Sequence, residues 1–94
     1  MIESFADEET EKIFKGRVSR KLPLTIQKTA RRKLLYLEEA EDLHDLRSPP
    51  GNRLELLRGD RAGQYSMRIN EQWRLCFYWE AGKAKQVKIE DYHD

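Results

Sequence analysis

The spacing of apolar residues changes period once along this chain, and that change limits the available folds more than any other feature. Before Ser48-Pro49-Pro50-Gly51, Ile26, Ala30, Leu34 and Leu37 recur at i, i+4, i+8 and i+11. That is a helical stripe, and it predicts a helix over roughly 22–41. Lys28, Arg31, Arg32, Glu38 and Glu39 fall largely off the stripe. After the Pro-Pro-Gly break the period is two. Tyr65, Met67 and Ile69 alternate with Gln64, Ser66, Arg68 and Asn70. Trp73, Leu75, Phe77 and Trp79 alternate with Arg74, Cys76 and Tyr78. Strict alternation is the mark of strands with one buried face. Asn70-Glu71-Gln72 and Ala81-Gly82-Lys83 are short enough to be hairpin turns, and Val87 and Ile89 mark a last strand. Residues 53–58 read as an earlier strand, ended by Gly59-Asp60-Arg61-Ala62-Gly63. Helices first and strands second imply an α+β fold, with the helices packed on one sheet face.

The N-terminal residues add to this outline. Ile2 and Phe5 predict a short first strand. Asp7 is placed to cap a first helix, with Glu8, Glu9 and Glu11 where acids complement the helix dipole. Ile13 and Phe14 give that helix its apolar side, and Gly16 ends it. Pro23 fits the first turn of the second helix, where its missing N–H is harmless. A short helical turn is predicted over 41–46. The expected order is strand, two helices, then four consecutive antiparallel strands. At 94 residues the expectation is one domain, 1–94.

Several function classes drop out on composition. The longest run of apolar side chains, 75–79, is far short of the roughly 20 residues that span a bilayer. Residues 1–5 have neither the basic start nor the apolar stretch of a signal peptide, so no membrane association and a cytoplasmic location are expected. Cys76 is the single cysteine and excludes an intrachain disulfide. His44, Cys76 and His93 are isolated from one another in sequence, so no metal site is expected. No glycine pattern of a nucleotide-cofactor enzyme is present, and no cofactor is expected.

A net charge of +1 conceals a division of sign. Residues 1–46 carry net −1, residues 47–88 net +5, and the last six residues net −3. Six of the nine cations in the middle segment are arginines, which suit phosphate better than lysines do. The alternation of the strands puts Arg68 and Arg74 on the sheet face away from the helices, near each other across the tight turn. Two arginines so placed either cradle a phosphate or pair with Glu55 or Glu90 across strands.

Four motifs taken together resemble the HigB toxins of the RelE/ParE superfamily of bacterial toxin–antitoxin systems. They are Arg47-Ser48-Pro49-Pro50-Gly51-Asn52-Arg53-Leu54-Glu55, Gly59-Asp60-Arg61-Ala62-Gly63-Gln64, Arg68-Ile69-Asn70-Glu71-Gln72-Trp73-Arg74-Leu75-Cys76-Phe77, and Asp91-Tyr92-His93. The resemblance implies a RelE-like, microbial-RNase-like twisted antiparallel sheet with two N-terminal helices on one face. It implies an mRNA interferase that enters the ribosomal A site and cuts the messenger there. Its implied partners are a HigA-type helix-turn-helix antitoxin, the 70S ribosome and mRNA, with operator DNA reached only indirectly through the antitoxin. The rival readings are a ParE-like gyrase inhibitor and an RNA- or ribosome-binding translation inhibitor that does not cut.

RNA cleavage without a metal needs a base for the 2′-OH proton, an acid for the 5′-leaving oxygen, and cations for the phosphorane charge. An unperturbed imidazole titrates near 6.5, so His93 is the natural proton carrier if it is not simply a frayed terminal residue; the resemblance favours the proton carrier. Asp91 stands two residues before it and in extended chain points to the same side, to orient the imidazole or act as base. Tyr92 either stacks on a splayed base or donates a proton, or else anchors the end of the sheet. Arg74 and Arg68 are the phosphate-stabilising candidates, and Arg53, Arg58 and Arg61 the further RNA-binding ones. HigB toxins of another branch carry a histidine where this chain has Glu55, so here a carboxylate stands in as the candidate base. His44 reads as surface, Cys76 as an ordinary strand residue, and Trp73 and Trp79 as core.

Overall fold

The computed structural model describes residues 1–92. Helix α1 spans Glu8–Phe14, and the Asp7 carboxylate accepts the Thr10 N–H at 2.8 Å, as the capping pattern predicts. Helix α2 spans Leu24–Glu39. Pro23 is its N-cap rather than a first-turn residue, because its ψ of 133° is extended. Ile26, Ala30, Leu34 and Leu37 are buried, so the stripe is the face that packs. Short 3-10 turns follow at Leu43–Arg47 and, beyond the break, at Pro50–Asn52.

Four strands form one antiparallel meander in the order β1-β2-β3-β4: β1 Glu55–Leu56, β2 Gln64–Arg68, β3 Trp73–Glu80 and β4 Lys83–Asp91. Both helices lie on one face. The core between the layers holds Ile13, Leu34 and Leu37 against Met67, Leu75, Phe77 and Val87, all at most 2% exposed. Tyr65, Trp73 and Trp79 are partly buried and pack around it.

Two expected strands come out shorter. The 53–58 segment pairs only at Glu55 and Leu56, because Arg53 takes a left-handed conformation (φ 43°) and the chain leaves the sheet into a 3-10 turn at Gly59–Arg61. The Ile2–Phe5 segment makes two isolated parallel bridges, Ile2 with Ala84 and Phe5 with Val87, rather than a strand. A bulge in β4 explains this. Gln86 has φ 51°, and the β3–β4 register shifts between Cys76 and Tyr78. The extra residue reverses the alternation, so Ala84 as well as Val87 and Ile89 faces the core. It also interrupts the ladder with the N-terminal segment, and the Gln86 N–H donates to Ser4 Oγ at 2.9 Å instead.

The face away from the helices is not open along its whole length. Leu57 is buried, and Arg61 reaches back to Glu90 at 2.6 Å and to Gln64 at 2.9 Å. Ser66 and Cys76 are buried beneath. Burial, with the Glu90 carboxylate beside it, pushes the Cys76 thiol up to about 12. The thiolate is the reacting species. Iodoacetamide at pH 8 is therefore expected to leave Cys76 unmodified in the folded protein and to alkylate it fully in denaturant. Fast native labelling, read by mass spectrometry, would show this face open.

Candidate active site

At one end of the sheet the tight turn between β2 and β3 brings Arg68 and Arg74 into direct register. Asn70 makes that turn: its Oδ1 accepts the Gln72 and Trp73 N–H groups at 2.8 and 2.7 Å. Tyr92 is held at the same end, because its N–H donates to the Gln72 carbonyl at 2.7 Å and so continues the β3–β4 pairing past Asp91. Opposite them, the left-handed turn at Arg53 delivers Arg53 and Glu55 from the edge of the sheet.

The result is a polar cleft of about 510 Å³ lined by Arg53, Glu55, Arg68 and Arg74, with Asn70 and Glu71 at its rim and Tyr92 at its side. Arg74 is its centre. Its side chain is only 12% exposed. One Nη donates to the Arg53 carbonyl at 2.9 Å, and the guanidinium carbon lies 5.6 Å from the centroid of the Tyr92 ring. An arginine on an aromatic face is held by the ring quadrupole and keeps its outward N–H groups for a ligand. Arg74 Nε is buried with no hydrogen-bond partner among the described residues. Glu55 lies 3.8 Å from Arg74, an ion pair looser than a charge-assisted hydrogen bond, and its side chain is 56% exposed. Both alternatives for the arginines are thus partly realised: Arg74 has a carboxylate across the strands, and three arginines still converge on one cleft. Glu90 is taken by Arg61 and Lys88 instead.

With this geometry in place, comparison with known proteins is informative. Residues 3–93 match the family model described as the RelE-like toxin of the type II toxin–antitoxin system HigB. The chain belongs to this family. It is 41% identical over 73 residues to Toxin HigB-1 of Vibrio cholerae serotype O1, covering 78% of this chain and 77% of that one. It is 28% identical over 93 residues to Endoribonuclease HigB of Proteus vulgaris, covering 99% of this chain and all of that protein. The fold is similar to that of YafQ from E. coli, with a TM-score of 0.56 at 12% identity over 97% of this chain and 93% of that one. The α+β, RelE-like architecture expected from the sequence is therefore the one found, and the chain is a toxin of the type II class, whose members pair with an antitoxin.

Within this toxin the expected site residues separate. Glu55, Arg53, Arg68, Arg74 and Tyr92 share the cleft. Arg58 is exposed and caps the Gly59–Arg61 turn outside it. Arg61 lies outside the cleft but on the same sheet face, paired with Glu90, the cross-strand neighbour of Arg74. Asp91 accepts a hydrogen bond from Gln72 Nε2 at 3.0 Å and borders a second depression, beside Arg61, Lys88 and Glu90. His93 lies outside the described residues. Asn70 and Glu71 were not expected in the site. The signal was available: a turn joining two strands that each carry a site arginine must rim the same cleft. Among the described residues no group of three or more His, Cys, Asp or Glu could hold a metal ion, and no helix is long and apolar enough to cross a membrane.

Proposed function

We propose that this toxin is an endoribonuclease, a ribosome-dependent and metal-independent mRNA interferase that cuts translated messenger in the ribosomal A site. The observation that carries the reading is the convergence of Arg53, Arg68 and Arg74 on one cleft, with Tyr92 against Arg74 and the Glu55 carboxylate at its edge. The full-length match to a relative named an endoribonuclease supports it. In the proposed reaction the 2′-OH attacks the adjacent phosphorus and gives up its proton to Glu55 or Asp91. The bond from phosphorus to the 5′-oxygen breaks, and His93 protonates the leaving oxygen. The products are a 2′,3′-cyclic phosphate and a 5′-hydroxyl. Arg74 and Arg68 stabilise the phosphorane, Tyr92 stacks on a splayed nucleotide, and Arg53, Arg58 and Arg61 grip RNA.

The same reading makes 1–94 a single toxin domain acting in the cytoplasm, on mRNA bound to the 70S ribosome. A HigA-type helix-turn-helix antitoxin neutralises it, and operator DNA is contacted only through that antitoxin. Primer extension on a messenger from cells producing the toxin tests the activity. Cuts inside translated codons are expected. Growth arrest with an intact messenger would overturn the reading in favour of a gyrase inhibitor or a translation block without cleavage.

A further inference from the structure

Lys33 is a buried cation that pairs with no carboxylate among the described residues. It sits on the packed side of α2 and is 5% exposed, yet no salt bridge to it occurs among the described residues. Its Nζ donates to Asn52 Oδ1 at 2.5 Å. Asn52 is itself fully buried, and its Nδ2 donates to the carbonyls of Leu46 and Ser48 at 3.1 and 3.3 Å. A lone buried ammonium is costly to keep. Burial, with Arg32 and Arg68 adding repulsion, lowers the Lys33 pKa below the ordinary lysine value.

The location of this pair gives it a use. Asn52 immediately precedes Arg53, the left-handed residue whose carbonyl accepts from Arg74. The Asn52 side chain is engaged at both ends: its oxygen accepts from Lys33, and its amide nitrogen donates to two loop carbonyls. The loop from Leu46 to Asn52 is thereby clamped to α2 from inside the core. Arg53 is then presented at a fixed place and angle. The Asn52 and Arg53 N–H groups shape the turn itself by donating to the Pro49 and Pro50 carbonyls at 3.0 and 3.2 Å, and the Lys33–Asn52 bond ties that turn to α2.

We infer that Lys33 is a positioning residue of the active site, acting through Asn52 and the Arg53 carbonyl to hold the Arg74 guanidinium against Tyr92. This rests on the cleft being the cleavage site, and the test separates the two ideas. Lys33→Met keeps side-chain length and apolar packing but removes the donor. Because it strands the Asn52 oxygen, the paired variant Lys33→Met/Asn52→Leu is made beside it, removing both polar ends. The structural readout is the Nε–Hε signal of Arg74 in nitrogen-15-edited NMR spectra, assigned by its loss in Arg74→Lys. In the wild type it should stand apart from the signals of exposed arginines. In a folded variant it should move into that group. On programmed ribosomes kcat should fall about 10-fold with KM within about twofold, since the phosphate grip is misaimed rather than removed. An unmoved Arg74 signal overturns the inference whatever the activity. Failure of both variants to fold also overturns it, and assigns the pair to stability alone. If the wild type does not cut RNA, the functional reading fails, while the Arg74 signal still decides the positioning role.

Discussion

Arg74→Ala is expected to reduce cleavage by about 10²–10³-fold, the loss typical when one preorganised donor to a developing oxyanion is removed. That range corresponds to about 2.7–4 kcal/mol of transition-state stabilisation. The reason is local. Arg74 is mostly buried, braced by the Arg53 carbonyl and backed by Tyr92, so its remaining N–H groups are oriented before substrate arrives. Reorientation then takes no free energy from the reaction. Arg74→Lys keeps the charge and loses the planar fork, and should recover only a small part of the activity. Arg58→Ala is the contrasting case: Arg58 is exposed and outside the cleft, so its loss should weaken binding several-fold and leave kcat nearly unchanged. The check is single-turnover cleavage of a labelled messenger on programmed ribosomes, with circular dichroism to show that each variant folds. Near-wild-type kcat in folded Arg74→Ala would remove Arg74 from the chemistry.

The second expectation is a dependence of cleavage on the ribosome of at least about 10³-fold. The cleft has three cations but few groups able to move a proton, Glu55 at its edge and Tyr92 at its side; Asp91 is engaged by Gln72 and borders the second depression. His93 completes the set in the proposed mechanism. Such a site lacks the tightly paired acid and base of an efficient free ribonuclease. Substrate orientation must then supply much of the acceleration, and holding reactants in line can provide about 7–11 kcal/mol. The A site can offer a codon in a splayed, in-line geometry that free RNA rarely adopts. Purified toxin should therefore leave naked messenger intact and cut the same messenger on programmed ribosomes. Three phosphate contacts through Arg53, Arg68 and Arg74 should also give a log–log salt slope of about −2 for the RNA contribution to binding. Equal cutting with and without ribosomes at matched salt would refute the dependence.

Much of this was legible in the residues because it is encoded by local pattern. The period of 3.6 in Ile26, Ala30, Leu34 and Leu37 and the period of two in residues 64–79 each specify an element and its buried face, since side-chain direction follows backbone geometry. The turn at residues 70–72 then required Arg68 and Arg74 to meet, and pairing in the hairpin does bring them into register. The motifs of the second half carried the family. What the pattern could not contain was whatever depends on where distant segments meet. The Gln86 bulge breaks the period in β4, and only the match to β3 shows that one extra residue is accommodated there. Arg61 had the same sequence credentials as Arg53. The fold of the 57–63 loop pairs it with Glu90, beside the cleft on the same sheet face, while the left-handed turn after Asn52 sends Arg53 into the cleft. Lys33 stands one residue from Leu34 of the helical stripe, among other cations, and no sequence pattern marks it as buried. Its burial against Asn52, 19 residues away in sequence, is a product of packing alone. Sequence by itself determined the elements, their inward faces and the arginine pair. The tertiary structure decided which charges face substrate, because a charge's partner is set by proximity in space, and proximity between distant segments exists only once the core has closed.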